Sequence, residues 1–188
     1  ISLLDKYDDT AIITSNFYMN DGEKISKRFT PNQIDLYDLL YLNYCGSFSF
    51  CLTRKEYLEN LFIDNNLQAC QDWDLWIKIL DKTGLKCRSY KNEFFVNYYS
   101  DHNNRISSDL NKTYNARINF LRLHNSKMNQ KQFYFNLYDL YKMKRLVFWD
   151  KETYYSRLKQ YFRALVFYHK AKYKRNIYYY LLFLIKIF

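Results

Sequence analysis

The residues of this chain best suited to chemistry lie where two carboxylates flank an indole, in the run Ala69-Cys70-Gln71-Asp72-Trp73-Asp74-Leu75-Trp76. The Ile-Lys-Ile-Leu that follows, and Gly84 beyond it, predict a helix from about Trp73 to Gly84, with the glycine as its C-terminal cap. Carboxylates at a helix start meet unsatisfied backbone N–H groups, which favour negative charge. Local chemistry alone supports a structural reading, with Asp72 as N-cap, Asp74 as a first-turn acid, and Trp73 and Trp76 packing into the core.

Other chemically capable residues are more scattered. His102 lies in the polar loop 101–107, within Tyr99-Ser100-Asp101-His102, and Arg105 follows it. Taken alone, His102 reads as an exposed loop histidine. Cysteines at 45, 51, 70 and 87 form no C-x-x-C pair and have no histidine at zinc-ligand spacing, so they read as small buried hydrophobes in a reducing cytosol. The three glycines, at 22, 46 and 84, are too far apart for a glycine-rich phosphate cradle of the Rossmann or P-loop kind.

These groups need a scaffold, and the pattern around them predicts one. Residues 10–18 (TAIITSNFY) are β-branched and aromatic, Asn20-Asp21-Gly22 supplies a tight turn, and 24–29 return as a short strand. Pro31 ends that element, and apolar spacing over 34–44 predicts a helix across the sheet. Alternation in 47–53 (SFSFCLT) predicts a strand with Phe48 and Phe50 on one face. A short helix over 54–61 and short strands over 85–90 and 94–99 are expected, and from Leu110 onward the apolar period is helical. The fold class is therefore α/β, with a mixed part ending near residue 109 and a helical, basic part after it.

Composition bounds the function. The chain has 188 residues and 48% apolar content, enough to bury a core. Glycine and proline total four where roughly twenty are usual, which excludes collagen, low-complexity linkers and most turn-rich sandwiches. The net charge of +10 resides mainly in residues 151–188, nine basic against one acidic, a net of +8. An AT-rich coding sequence would by itself enrich Lys, Asn, Ile, Tyr and Phe, so the basic tail is not by itself a binding signal. Asp5, Lys6, Asp8 and Asp9 interrupt the opening segment before a signal-peptide core, and the apolar run 177–185 is far below the roughly 20 residues of a spanning helix. Basic positions at helical spacing opposite Tyr154, Leu158 and Phe162, then an aromatic end at Tyr178, Tyr179, Tyr180, Leu181 and Phe183, suit an anionic membrane surface with shallow insertion. The alternatives are a basic face packed on its own domain and a basic, aromatic nucleic-acid-binding module.

QDWDLWIKI, preceded by GSFSFCLTRKEYLENLFID and followed by GLKCRSYKNEFFVNYYSDHNNRIS, resembles the second half of a family 2 glycosyltransferase of GT-A fold. Such enzymes commonly carry an acidic residue or Gln, then Asp-x-Asp-Leu-Trp, and after an intervening strand a Tyr-x-x-His segment. Gln71 stands where Glu is more usual and Lys78 where Arg is frequent. The resemblance implies a partial GT-A-like mixed sheet with flanking helices over 1–109, the acceptor-side half of the domain, followed by a helical extension over 110–188. It implies transfer of a sugar, with inversion, from a nucleotide-diphosphate donor to an acceptor hydroxyl.

Under that resemblance Asp72 maps onto the catalytic base, which takes the hydroxyl proton as the oxygen attacks. Asp74, two residues on, would point about 200° away in a helix and is left to capping or to orienting the loop. Trp73 and Gln71 would line the acceptor site, His102 would contact a divalent Mn or Mg, and Arg105 would reach the diphosphate. The family's Asp-x-Asp motif and nucleotide-binding strands would precede Ile1, so residues 1–188 alone are expected to be inactive. The expected partners are the nucleotide sugar, a lipid-linked or saccharide acceptor and an anionic membrane surface, with no nucleic acid. The expected place is the cytoplasmic face of the membrane, in surface polysaccharide or lipopolysaccharide synthesis.

Overall fold

A computed structural model describes residues 2–99, 109–147, 162–163 and 166–167. Its chain divides into two compact units, Ile1–Ser108 and Asp109–Phe188.

The first unit is α/β and is organised by one strand, β1 (Thr10–Asn20), whose first seven residues are all buried. Burial on both faces is what a central strand requires, and the Ala-Ile-Ile-Thr run supplies side chains that suit it. β2 (Ile25–Arg28) returns antiparallel after a turn in which Asn20 and Asp21 carboxamide and carboxylate oxygens accept the N–H groups of Gly22 and Lys24 at 2.9 Å each. β3 (Gln33–Ile34) leads into α2 (Leu36–Leu39), where Asp35 and Asp38 form a reciprocal capping box. β4 (Leu52–Thr53) pairs with the start of β1, α3 (Lys55–Leu58) follows, and α4 (Gln71–Thr83) precedes β5 (Lys86–Tyr99). A five-residue helix, α1 (Ser2–Lys6), lies before β1.

The sheet runs β2-β1-β5-β3, with β4 also on β1. β5 is parallel to β1 along its length, so β2 and β4 share the opposite edge of β1. A parallel pair needs a long crossover, and everything from β2 to α4 lies within it. Residues 91–93 bulge from β5 between the pairs Ser15↔Tyr90 and Asn16↔Phe94, so the two short strands expected over 85–99 are one bulged strand.

Two further expectations are corrected. The helix predicted over 34–44 is the four residues of α2, because Asn43 turns the chain by donating to the Gly46 carbonyl and accepting its N–H. The strand predicted over 47–53 is a 3-10 turn at Phe48–Phe50, followed only by β4. Gly46, at φ +81°, folds so closely over the Phe50 ring that a Cβ would collide with it. Phe48 therefore meets the Trp76 ring edge-on while Phe50 packs on Phe17 and Tyr98. Phe50 is buried and Phe48 exposed.

In the second unit, α5 (Leu110–His124) is capped by Asp109, whose carboxylate accepts Lys112 N–H at 3.0 Å. A short 3-10 turn, Asn125–Lys127, leads to α6 (Gln130–Val147), whose start is closed reciprocally by Asn129 and Gln132. Arg117 is buried in this unit and donates to Asn136 at 3.3 Å and to Asp139 at 2.9 Å. From the tail, Phe167 stacks on Tyr134 and Tyr141 of α6, with ring centroids 5.9 and 5.3 Å away. The rest of 151–188, and with it most of the expected membrane-facing surface, lies outside the described residues.

Candidate functional site

The geometry of the site is that of the first turn of α4. The helix opens at Gln71, two residues before the expected start, and Asp72 lies within its first turn. The N-cap position belongs to Cys70, in the left-handed conformation at φ +66° and without a side-chain capping bond, so Asp72 is not the N-cap. The C-terminal end is as expected: Gly84 takes the left-handed conformation and its N–H reaches the Leu80 carbonyl at 2.9 Å.

Within this turn two carboxylates have opposite environments. Asp74 has no exposed surface, and its Oδ2 lies 2.6 Å from the ammonium of Lys78, one turn along the helix. The same ammonium donates to the carbonyl of Phe62 at 2.9 Å, and Lys82 donates to that of Glu59 at 2.7 Å. Asp74 thus orients the loop after α3 through Lys78, which is one of the two roles its position in sequence left to it.

Asp72 is half-buried, and among the described residues no Lys, Arg or His forms an ion pair with it. Its Oδ1 accepts the Trp73 N–H at 2.7 Å. Burial raises its pKa above the ordinary carboxylate value, outweighing the backbone N–H bonds that oppose the rise. A carboxylate held short of water, with no cation to neutralise it, has a raised affinity for protons.

Trp73 does not offer its ring to a ligand as the sequence suggested. It is 4% exposed, and its indole N–H is bound to the Leu39 carbonyl at 2.6 Å. The indole is buried against α2 and leaves no open face for a sugar. Trp76 is likewise buried and donates to the Gly46 carbonyl at 2.9 Å. Gln71 is half-buried beside Asp72 at the start of the helix. His102 and Arg105 lie outside the described residues.

Sequence reasoning missed Tyr37, Tyr41 and Tyr44, which cluster at α2 and the turn after it. The hydroxyls of Tyr37 and Tyr41 are 3.2 Å apart, and burial with that contact pushes the Tyr41 pKa up. Their i, i+4 spacing was the available signal. Among the described residues no group of three or more His, Cys, Asp or Glu is arranged to hold a metal ion, and no helix is long and apolar enough to cross a membrane. No protein-family model, curated protein or solved structure matches the chain.

Proposed function

We propose that this chain is the acceptor-side part of an inverting glycosyltransferase of GT-A type, with Asp72 as the general base that accepts the proton of an acceptor hydroxyl. The observation that carries the reading is the contrast within one helical turn: Asp74 is neutralised by Lys78, whereas Asp72 is half-buried, unpaired with any cation among the described residues, and raised in pKa by burial. A sugar hydroxyl is a weak nucleophile, so a base must lie within hydrogen-bond reach and have a proton affinity near the working pH. Gln71 stands beside that carboxylate and serves acceptor binding, while Trp73 is buried against α2. Cys70, in the left-handed conformation, sets the direction in which the turn leaves the preceding loop.

Donor binding draws on residues the described structure does not contain. A divalent cation, Mn or Mg, enters the reading through His102, with Arg105 toward the diphosphate, and the described residues supply no ligand set for it. The proposed setting is the cytoplasmic face of the membrane, with a lipid-linked or saccharide acceptor.

The test is sugar transfer by the full-length protein that contains this chain, assayed with a panel of nucleotide-diphosphate sugars. Asp72→Asn is expected to reduce transfer by about 10²-fold or more, the scale of general-base catalysis, with donor binding retained. Near-normal transfer by that variant removes the base assignment. Absence of donor turnover by the unmodified protein across the panel removes the transferase reading itself.

A further inference from the structure

Cys45 and Cys51, six residues apart, come together in the first unit with Cys87, which lies much further along the chain. Cys87 of β5 pairs with Ile12 of β1 on one side and Ile34 of β3 on the other, and has no exposed surface. Cys45 is equally buried. Its carbonyl accepts the Thr14 hydroxyl at 2.7 Å and the Cys51 thiol at 3.2 Å. Burial first, and then the nearby Cys51 and Cys87 thiols, push the Cys45 thiol up and hold its proton on the sulfur. Cys51 differs in being half-buried at the end of the 3-10 turn, where solvent reaches it. None of the four cysteines is in a disulfide.

The structure assigns Cys51 and Cys45 as a thiol pair oxidised by peroxide, with Cys51 the sulfur the oxidant meets and Cys45 the sulfur that resolves it. Oxidation follows thiolate character and exposure; Cys45 is buried with its proton held, Cys87 is buried, and of the three clustered thiols only Cys51 is exposed to any extent. In the first step Cys51 Sγ attacks one oxygen of hydrogen peroxide, the O–O bond breaks, one water leaves and a sulfenic acid remains. In the second, Cys45 Sγ attacks the Cys51 sulfur, and its proton departs with the hydroxyl as a second water. Two thiols and one peroxide give one disulfide and two waters, and peroxide takes the two electrons.

Cys45 is the resolving sulfur because it shares a short, irregular segment with Cys51. Gly46 already holds a left-handed conformation in that segment, and its backbone can adjust to disulfide geometry. Cys87 is fixed by ladder pairing on both sides of β5 and cannot approach Cys51 without breaking the sheet.

The experiment exposes the folded 188-residue chain to hydrogen peroxide, blocks remaining thiols by alkylation and digests with chymotrypsin, which cuts after Phe48 and Phe50 and so separates the two cysteines. Free thiols are expected to fall from four to two, with a cross-linked Cys45–Cys51 peptide that dithiothreitol reverses. Cys51→Ser, which keeps a donor for the Cys45 carbonyl, should leave Cys45 and Cys87 reduced over the same exposure, whereas Cys87→Ala should still form the bridge. The assignment is overturned by Cys51 advancing to sulfinic acid with Cys45 reduced, by a Cys45–Cys87 bridge, or by oxidation confined to Cys70. The unmodified chain alone distinguishes these outcomes, so the test stands even if a variant fails to fold.

Discussion

Lys78 Nζ lies 2.6 Å from Oδ2 of Asp74, a carboxylate with no exposed surface. A buried charge deprived of its partner is far more costly than a buried pair replaced whole. Lys78→Met keeps the apolar stem but removes the cation from that buried carboxylate, and is expected to lower stability by about 3 kcal/mol in urea unfolding at pH 7. The double variant Asp74→Leu/Lys78→Met should recover most of that loss. A double variant as unstable as Lys78→Met would show that the tie to Phe62, rather than the charge, dominates.

Asp72 has the opposite linkage. Its folded pKa is raised by burial above the unfolded value, so between the two values the native state binds more protons. Its contribution is therefore unfavourable above the folded pKa, fades as pH falls through that value, and vanishes below the unfolded pKa. Asp72→Asn should raise the unfolding midpoint at pH 7, and the gain should disappear under acid conditions near pH 3. A gain that persisted there would point to packing instead of charge. A site that improves stability when disarmed is what a functional carboxylate predicts.

Among the three left-handed glycines, those at 46 and 84 make an internal control. Both would strain an alanine by about 1–2 kcal/mol through backbone conformation alone. Gly84 has nothing within 4 Å of a new Cβ, whereas at Gly46 the Phe50 ring blocks it. Gly46→Ala should therefore cost more than Gly84→Ala, by about 1–3 kcal/mol of overpacking, in parallel thermal or urea unfolding. Equal losses would mean that the Phe50 ring moves aside freely.

Residues 151–188 carry a net charge of +8, which motivates a membrane prediction. Each basic group near an anionic surface contributes on the order of 1 kcal/mol. In liposome flotation the chain should rise with anionic vesicles, and do so less at high salt. Equal recovery with neutral vesicles, or none with either, would assign the tail to packing within its own unit. The stack of Phe167 on Tyr134 and Tyr141 is the kind of contact that such packing uses.

Where local chemistry decides, the fold was legible in the sequence. β1 and its turn follow from the β-branched run and Asn20-Asp21-Gly22, and α4 ends where Gly84 says it should. The segment 47–53 misled because Ser-Phe-Ser-Phe alternates like a strand, while Gly46 and the Trp76 ring fold it into a turn. Trp73 misled for a related reason: its indole N–H is claimed by a carbonyl 34 residues earlier, which no local pattern announces. The approach of Cys87 to Cys45 was equally hidden, since it is the pairing of β5 with β1 and β3 that fixes where position 87 lies. At the candidate site, the pairing of Asp74 with Lys78 follows from their i, i+4 spacing, but the burial that separates Asp72 from Asp74 does not.

The indole ties of α4 also set an order of assembly. Trp73 and Trp76 hand their N–H groups to carbonyls 34 and 30 residues upstream, at Leu39 and Gly46, in a stretch with little regular structure of its own between α2 and the 3-10 turn. Such ties close long loops before they repay the entropy, which slows the step that makes them. On a ribosome adding about 5–20 residues per second, that stretch emerges roughly 2–6 s before the tryptophans that hold it. Until α4 arrives, the carbonyls of Leu39 and Gly46 lack their indole partners, and the nascent chain passes through a window in which that segment is open to chaperones.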